Sequence, residues 1–368
     1  MVPSRLDSPQ ARPIDLRSDA ITTPTDSMWE AMRAADLGWA SAGQDTLLVE
    51  LEETVAKLAG KEKALYVLTG GMANLVALMT HTRRGDQVVL DSRSHILWCE
   101  EWGLSYICGL TARSVDGVRG QISPDAVVDA INDSLYRHRP RTSLLCLENP
   151  DNTFGEAADV GYVASVSNVA HELGASVHLD GARVLNACAA LDVELHDMLA
   201  PVDSAMISLN KGLSAPGGAI LVGTAEFISE ARMNVRRLGG SSFHQCGIHA
   251  AAALVAFREM LPQLAEDNRR AAALAEALRH VTGVTVDQGR APTNMVIVAP
   301  DPGLMSARGF VDGLETHGVL GYISGENTVR FVTHRHIDDD DIAHAAEAAA
   351  AVAESFAASN AKQPAIGT

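Results

Sequence analysis

The sequence predicts an α/β protein, in which a mostly parallel sheet carries helices on both faces and is followed by a smaller α+β domain. One observation is that short apolar runs alternate with longer segments of helical periodicity through the middle of the chain. The other is that two helical patterns, two later strands and a last helix follow this region. Alternating strands and helices favour crossover connections, which place parallel strands side by side.

The predicted strands of the main sheet are apolar runs that end in small or polar residues. They are ALYVLTGG (64–71), DQVVLDS (86–92), TSLLCLEN (142–149), ASVHLDGA (175–182) and SAMISLN (204–210). Residues 45–60 and 159–175 carry apolar side chains at helical spacing, and each segment reaches a glycine that favours helix termination.

The remaining sequence predicts the second domain. Residues 244–281 predict two helices, 293–300 and 328–334 predict strands, and 337–358 predict a final helix with acidic residues in its first turn. The acidic run within that turn is interpreted as a solvated helix start, and no metal site is predicted. The expected organisation is an N-terminal arm (1–25), a large domain (26–255), a small domain (256–358) and a disordered tail (359–368).

Composition excludes several classes of partner. The net charge of −17 disfavours nucleic acid and anionic membrane surfaces, and no apolar run is long enough to span a bilayer. The five cysteines are scattered without a CxxC pair, which favours neither a disulfide framework nor a zinc site. We expect a cytoplasmic protein that acts on a small molecule.

The residues with chemical potential lie at the predicted carboxyl ends of strands. These are Thr69 to Gly71, Glu148 with Asn149, Asp180 and Lys211. Ligands of open α/β sheets bind beyond the carboxyl ends of the strands, so these residues should converge on one cleft.

Lys211 and Asp180 indicate which ligand the cleft binds. A desolvated lysine amine forms Schiff bases with carbonyl groups, and small residues such as Gly212 leave room for a bulky partner. Pyridoxal phosphate needs such a lysine, and it also needs a carboxylate beside its ring nitrogen, for which Asp180 is suitable. Taken alone, a lysine is more often a surface residue, and the combination is what makes the assignment specific.

Three further features agree with this cofactor. Gly70 and Gly71 at a helix N-terminus are suited to a phosphate group. His95 follows another strand and can stack on a ring. Arg183 lies three residues beyond Asp180 and can form a bidentate pair with a carboxylate.

With these residues identified, the sequence resembles a known family, the pyridoxal-phosphate-dependent L-threonine aldolases of the β-eliminating lyase group. The resemblance covers roughly residues 15–350. HLDGARVLNA and SLNKGLSAPGGAILVG are very similar to the family's motifs around the aspartate and the lysine. DLRSDAITTPT, TGGMANLVAL, the SHI segment with Glu100, and VRFVTH resemble other family segments.

The resemblance implies the seven-stranded-type sheet of fold type I and a role for each matching residue. Lys211 would form the Schiff base, Asp180 would pair with the ring nitrogen, and His95 would stack on the ring. Gly70 and Gly71 would bind the phosphate, while Ser18, Arg183 and Arg330 would bind the substrate carboxylate, with Arg183 also beside the cofactor. The implied reaction is cleavage of an L-β-hydroxy-α-amino acid into glycine and an aldehyde. Active sites at the interface of a homodimer or homotetramer are implied as well.

The sequence departs from the family pattern near the substrate and the phosphate. Asp151 replaces a histidine assigned near the β-hydroxyl group, and an ordinary aspartate is a weaker base near neutral pH. Ala42 replaces a tyrosine, and His244 stands where an arginine associated with the phosphate is expected. Arg236, Arg237 or backbone amides would then complete the phosphate site together with His244.

These departures leave alternatives open. Either burial makes Asp151 a competent base, or another group takes the proton, or the reaction differs. The altered reactions would be racemisation, transamination, β-elimination or a transaldolase-type transfer with the same cofactor. The tryptophans of HILWCEEWGLSY are interpreted as core packing or as a reshaped pocket wall. A non-catalytic role is disfavoured because Lys211 and Asp180 are both present.

Overall fold

The computed structural model describes residues 12–132, 138–240 and 243–361. The strands in these ranges are β1 (Ile14–Asp15), β2 (Lys63–Val67), β3 (Gln87–Asp91), β4 (Thr111–Val115), β5 (Thr142–Glu148), β6 (Ser176–Gly181), β7 (Ser204–Ser208), β8 (Ala219–Gly223), β9 (Val284–Asp287), β10 (Met295–Pro300), β11 (Val319–Leu320), β12 (Tyr322–Gly325) and β13 (Thr328–Val332). Each of the five predicted strands of the main sheet is present.

The helices surround these strands in chain order. They are α1 (Asp26–Ala34), α2 (Thr46–Leu58), α3 (Gly70–His81), α4 (His95–Trp98), α5 (Gly103–Tyr106), α6 (Pro124–Asn132), α7 (Val160–Glu172), α8 (Val184–Leu191), α9 (Leu195–Leu199), α10 (Ala225–Arg237), α11 (Gly247–Glu259), α12 (Leu261–Leu278), α13 (Ala307–Thr316) and α14 (Asp339–Ala361). Within the described ranges, no helix combines the length and hydropathy of a membrane span.

The main sheet has seven strands in the order β2-β8-β7-β6-β5-β3-β4. All of its neighbouring pairs are parallel except those that β8 makes with β2 and β7. The central strands are buried along almost their whole length, which explains why their sequences are continuous apolar runs. Apolar side chains pack on both faces of the sheet, against α2, α7 and α11 in one core and against α3 and α10 in another. The predicted fold class is confirmed.

The second group of strands forms a four-stranded antiparallel sheet in the order β12-β13-β10-β9. Its apolar face packs with α12, α13 and α14 around Phe310. The N-terminal segment joins this group, because β1 pairs in parallel with β11 and Leu16 is buried in the same core. The N-terminal segment therefore packs with the small domain through a separate two-stranded sheet.

Two expected boundaries fall inside helices. The boundary between 255 and 256 would divide α11, whose side chains pack into the large core. The final helix continues to Ala361, beyond the expected start of the tail at 359. Residues 1–11 of the arm and 362–368 of the tail lie outside the described ranges.

Candidate active site

The carboxyl ends of β6 and β7 bring Asp180 and Lys211 to the same edge of the sheet. The two strands are parallel neighbours, with Asp180 aligned to Met206, and Lys211 follows β7 by three residues. Burial and the nearby Arg183 lower the pKa of Lys211 to about 8, although carboxylates around it act in the opposite direction. A neutral, nucleophilic amine is therefore accessible near neutral pH.

Asp180 is fixed by two donated hydrogen bonds. Its side chain is 2% exposed. Asn74 Nδ2 donates to Oδ2 at 2.8 Å, and the backbone N–H of Ala182 donates to Oδ1 at 3.1 Å. A buried carboxylate held in this way is suited to pair with a protonated ring nitrogen.

His95 lies beside this carboxylate at the start of α4. Its Nδ1 is 3.1 Å from Glu100 Oε1, and the hydrogen bond to Glu100 raises the pKa of His95 against the opposing effect of burial. Asn74 Nδ2 also donates to Glu100 Oε1 at 2.7 Å. Ligand atoms of His95, Glu100 and Asp180 lie within 4.8 Å of one another, which is close enough for a cation. Asn74 joins the two carboxylates of this group by donating to both of them.

Glu148 ties β5 to the loops around the site. Oε2 accepts from the backbone N–H of His95 at 2.8 Å, and Oε1 accepts from that of Asn152 at 2.9 Å. Burial and the neighbouring carboxylates of Asp180 and Asp151 raise the pKa of Glu148 to about 8. Glu148 thus fixes the backbone on both sides of the cleft.

A buried network of guanidinium groups forms the side of the site next to the small sheet. Arg183 donates to both carboxylate oxygens of Asp19 at 2.8 Å. Asn152 Oδ1 accepts from Arg183 Nη1 at 3.1 Å and from Arg330 Nη1 at 2.8 Å. Arg330, on β13, keeps a buried Nε without a partner, and burial with the neighbouring Arg183 lowers its pKa to about 10. An unpartnered buried donor of this kind is suited to a ligand carboxylate.

The N-terminus of α3 is suited to bind a phosphate group. Thr69 caps this helix through a hydrogen bond from the N–H of Met72 to its Oγ1. The N–H groups of Gly70 and Gly71 occupy the first turn, where no preceding carbonyl of the helix can accept them. A Cβ added at Gly71 would lie 3.8 Å from the Glu100 carboxyl carbon, so this turn borders the His95 group.

Some residues named from the sequence are placed differently. The Asp151 carboxylate is engaged by its own loop: its Oδ1 accepts from the N–H groups of Thr153 and Phe154, and Gly120 lies against its Oδ2. Burial raises the pKa of Asp151, but the group caps its own loop.

Arg237 and His244, which were expected to bind the phosphate group, also form hydrogen bonds with other residues. Arg237 is exposed and donates to Glu230 at 2.7 Å within α10. His244 is exposed, with its Nδ1 2.9 Å from Ser41 Oγ. Between them, residues 241 and 242 lie outside the described ranges. Ser18 caps a short 3₁₀ helix, and its Oγ is 3.5 Å from Asp19 Oδ1, next to the Arg183 pair.

Sequence reasoning assigned no role to Asp19, Asn74 or Asn152. Asp19 and Asn74 lie within quoted family segments, and Asn152 directly follows Asp151. Their roles depend on partners 164, 106 and 178 residues away in the chain, namely Arg183, Asp180 and Arg330. No local pattern encodes such pairings.

The cleft fits pyridoxal phosphate on the properties of its own residues. It combines an amine of lowered pKa, a buried carboxylate that only accepts hydrogen bonds, and a glycine turn at a helix N-terminus. These are the groups required by an aldehyde, a ring nitrogen and a phosphate, in that order.

Comparisons with known proteins agree with this chemistry. The family described as beta-eliminating lyase matches residues 15–301. Low-specificity L-threonine aldolase 1 of Arabidopsis thaliana is 38% identical, over 90% of this chain and 94% of its own length. The low-specificity L-threonine aldolase of Escherichia coli is 35% identical, over 90% of this chain and 97% of its own.

Solved structures share the fold. A threonine aldolase of Leishmania major superimposes with a TM-score of 0.80 at 16% identity, covering 93% of this chain and 100% of that one. A putative L-allo-threonine aldolase of Listeria monocytogenes gives 0.75 at 22% identity, covering 93% and 97%. At these identities the likeness shows the architecture alone.

Proposed function

The chain belongs to the beta-eliminating lyase family, and from this membership and the geometry of its cleft we propose that it is a pyridoxal-phosphate-dependent L-threonine aldolase. It would cleave the Cα–Cβ bond of L-threonine and related L-β-hydroxy-α-amino acids to give glycine and an aldehyde. The observation that carries the proposal is the convergence of the Lys211 amine and the Asp180 carboxylate at one edge of the sheet.

Different residues around the cleft would bind different parts of the cofactor. Lys211 would bind its aldehyde carbon, Asp180 its ring nitrogen, and Gly70 and Gly71 its phosphate, while His95 would cover one ring face. When bound, this cofactor delocalises the electron pair that remains on Cα after the bond to Cβ breaks.

We assign the β-hydroxyl proton to His95. Glu100 accepts a hydrogen bond from Nδ1, so the neutral imidazole carries its lone pair on Nε2. A carboxylate that orients a histidine and raises its pKa is the arrangement used in other general-base pairs. Asp151 lies against Gly120 and instead accepts hydrogen bonds from the backbone N–H groups of Thr153 and Phe154. Its presence in place of a histidine therefore gives no reason to infer a different reaction.

The substrate carboxylate is assigned mainly to Arg330. Arg183 already uses Nε and Nη2 on Asp19 and Nη1 on Asn152, whereas Arg330 Nε is buried and unpartnered. Arg183 would then hold Asp19 and Asn152 in place and add positive charge, and Ser18 would border the same end of the cleft.

We also propose a homodimer or homotetramer in the cytoplasm. Arg237 and His244 are exposed and bond to Glu230 and Ser41, and we infer that they serve the phosphate site of a partner subunit. Exposed apolar side chains lie on this side of the described surface, including Trp39 at 57%, whose ring is 6.4 Å from that of His244. All cysteines are free thiols, which suits a reducing compartment.

The decisive experiment is glycine and aldehyde release from L-threonine, L-allo-threonine and phenylserine. Protein loaded with pyridoxal phosphate should show the visible absorption band of a lysine Schiff base and release glycine. Lys211→Ala should lose both, whereas Lys57→Ala, at an exposed position of α2, should keep both. A band without glycine from any substrate would contradict the aldolase assignment, and the absence of a band would contradict the cofactor assignment.

A further inference from the structure

A chain of buried polar groups runs behind Asp180, on the side away from the cleft opening. His178 lies two residues before Asp180 on β6, so both side chains project from the same face of the sheet. Asn74 and His81 lie seven residues apart on one face of α3, which covers that sheet face. Ser204 of β7 is the direct neighbour of His178 across the strands.

These groups are joined without a gap. His81 Nε2 is 2.7 Å from Ser204 Oγ, which is 2.8 Å from His178 Nδ1. His178 Nε2 is 3.1 Å from Asn74 Oδ1, and Asn74 Nδ2 donates to Asp180 at 2.8 Å. His178, Ser204 and Asn74 are completely buried, so no solvent competes for the hydrogen bonds that His178 makes with Ser204 and Asn74, whereas His81 is partly exposed.

The chemistry of the two carboxylates sets the direction of every bond in this chain. Asn74 Nδ2 donates to Glu100 Oε1 and to Asp180 Oδ2, so both amide protons are used and Oδ1 faces His178. His178 must then donate from Nε2, and its bare Nδ1 must accept from the Ser204 hydroxyl. Ser204 in turn accepts from His81 Nε2. Burial lowers the pKa of His178 to about 3 and that of His81 to about 4, in agreement with neutral rings.

We propose that His178 and Ser204 are positioning residues that lock the Asn74 amide and so hold Asp180 in a fixed position as the partner of the cofactor ring nitrogen. His81 ends the chain, with its ring stacked on Phe227 at a centroid distance of 4.5 Å. If Ser204 gave no proton to His178 Nδ1, the imidazole could adopt the other tautomer, and a bare Nε2 would face the Asn74 oxygen. The amide would then lose its fixed orientation. The inference rests on the proposed function only in naming the ring nitrogen as the partner of Asp180.

The first test is the tautomer of His178 in the full-length protein. Nitrogen-15 NMR of histidine-labelled protein distinguishes the two ring nitrogens, and the signal that disappears in His178→Gln identifies the residue. A neutral ring protonated on Nε2 near pH 7 is expected. A ring protonated on Nδ1, or on both nitrogens, would overturn the proposal whatever the protein catalyses.

The second test is the affinity of the full-length chain for pyridoxal phosphate, measured by titration. Ser204→Ala and His178→Phe should each weaken binding by about tenfold, as is usual when an outer-shell partner of a ligand-binding group is lost. His178→Gln should recover most of the affinity, since its amide can still donate to Asn74. Ser143→Ala is the matched control, because this hydroxyl lies in the same sheet, is buried and has no partner.

The outcomes separate this inference from the proposed function. Unchanged affinity in both Ser204→Ala and His178→Phe would overturn the inference even with the expected tautomer. Cofactor affinity could weaken equally in Ser143→Ala and Ser204→Ala, or fail to recover in His178→Gln. Either result would show that His178 and Ser204 contribute only packing, and it would also overturn the inference. If the unaltered chain failed to bind the cofactor at all, the proposed function would fail, and with it the role assigned to Asp180.

Discussion

Arg183 and Asp19 form a bidentate ion pair in which both guanidinium–carboxylate distances are 2.8 Å. Both side chains are buried, and Asn294 donates a further hydrogen bond to Asp19 at 3.2 Å. The guanidinium holds the pKa of Asp19 well below its usual range despite the opposing effect of burial. This pair attaches the N-terminal segment to the carboxyl end of β6 and determines which arginine remains available to a substrate.

Asp19→Asn should therefore strongly destabilise the protein. Removal of one partner of a buried pair leaves the other charge uncompensated, which typically costs about 3 to 5 kcal/mol. Chemical denaturation at pH 7 measures this change. Asp339→Asn, which removes an exposed pair with Arg269, should have a much smaller effect. A comparable loss of unfolding free energy in both variants would contradict the view that burial makes the Asp19 pair important for stability.

Arg330→Ala should raise KM for L-threonine more than it lowers kcat. A charge-assisted hydrogen bond is worth about 1.5 to 3 kcal/mol, so KM should rise by roughly one to two orders of magnitude. Steady-state kinetics with the exposed Arg308→Ala variant as control tests this. An unchanged KM would show that the substrate carboxylate binds elsewhere.

Asp151→Asn should retain activity to within about fivefold, whereas His95→Gln should lose at least about a hundredfold, the usual contribution of a general base. Asparagine keeps the oxygen that accepts from the N–H groups of Thr153 and Phe154. Values of kcat/KM for both variants with L-threonine decide between the two residues. A larger loss in Asp151→Asn would restore the assignment made from the sequence.

Glu100→Gln should move the acidic limb of the kcat/KM profile to lower pH. The hydrogen bond to Glu100 raises the pKa of His95, and a base is active only above its pKa. Without the carboxylate the imidazole loses its proton at lower pH, although its weaker basicity should reduce the maximal rate. A limb that stays in place, or that moves to higher pH, would exclude His95 as the titrating base.

Asp267→Asn should remove a pH dependence of stability. Burial raises the pKa of Asp267 to about 7, and its Oδ2 has no hydrogen-bond partner. A folded-state pKa above the unfolded value of 3.8 means that the stabilising effect is present at low pH and is lost as the pH rises toward 7.

The natural protein should therefore lose stability relative to Asp267→Asn between pH 5 and 8, by roughly 3 kcal/mol at most. Urea denaturation of both proteins at the two pH values measures the difference. The exposed Asp129→Asn variant should show no such change. Parallel pH dependence in all three proteins would contradict the protonated state of Asp267.

Much of the site was predictable because it depends on local patterns. Apolar runs predicted the central strands, and their carboxyl ends had to meet at one edge of a parallel sheet. Asp180, Lys211, Gly70, Gly71 and His95 could therefore be brought together from the sequence, and motif resemblance added Ser18 and Arg330. β8 was not predicted as a separate antiparallel strand, since an apolar run carries no information about strand direction.

By itself, the sequence determined which elements form and which chemical groups stand at the ends of strands. Only the tertiary structure decided where those groups point and what they bond. Asp151 carries the right chemistry but turns toward Gly120, while Asp19, Asn74 and Asn152 acquire roles through partners more than 100 residues away. The physical reason is that periodicity and capping act between residues a few positions apart, whereas side-chain direction and buried polar pairing depend on the packing of distant segments.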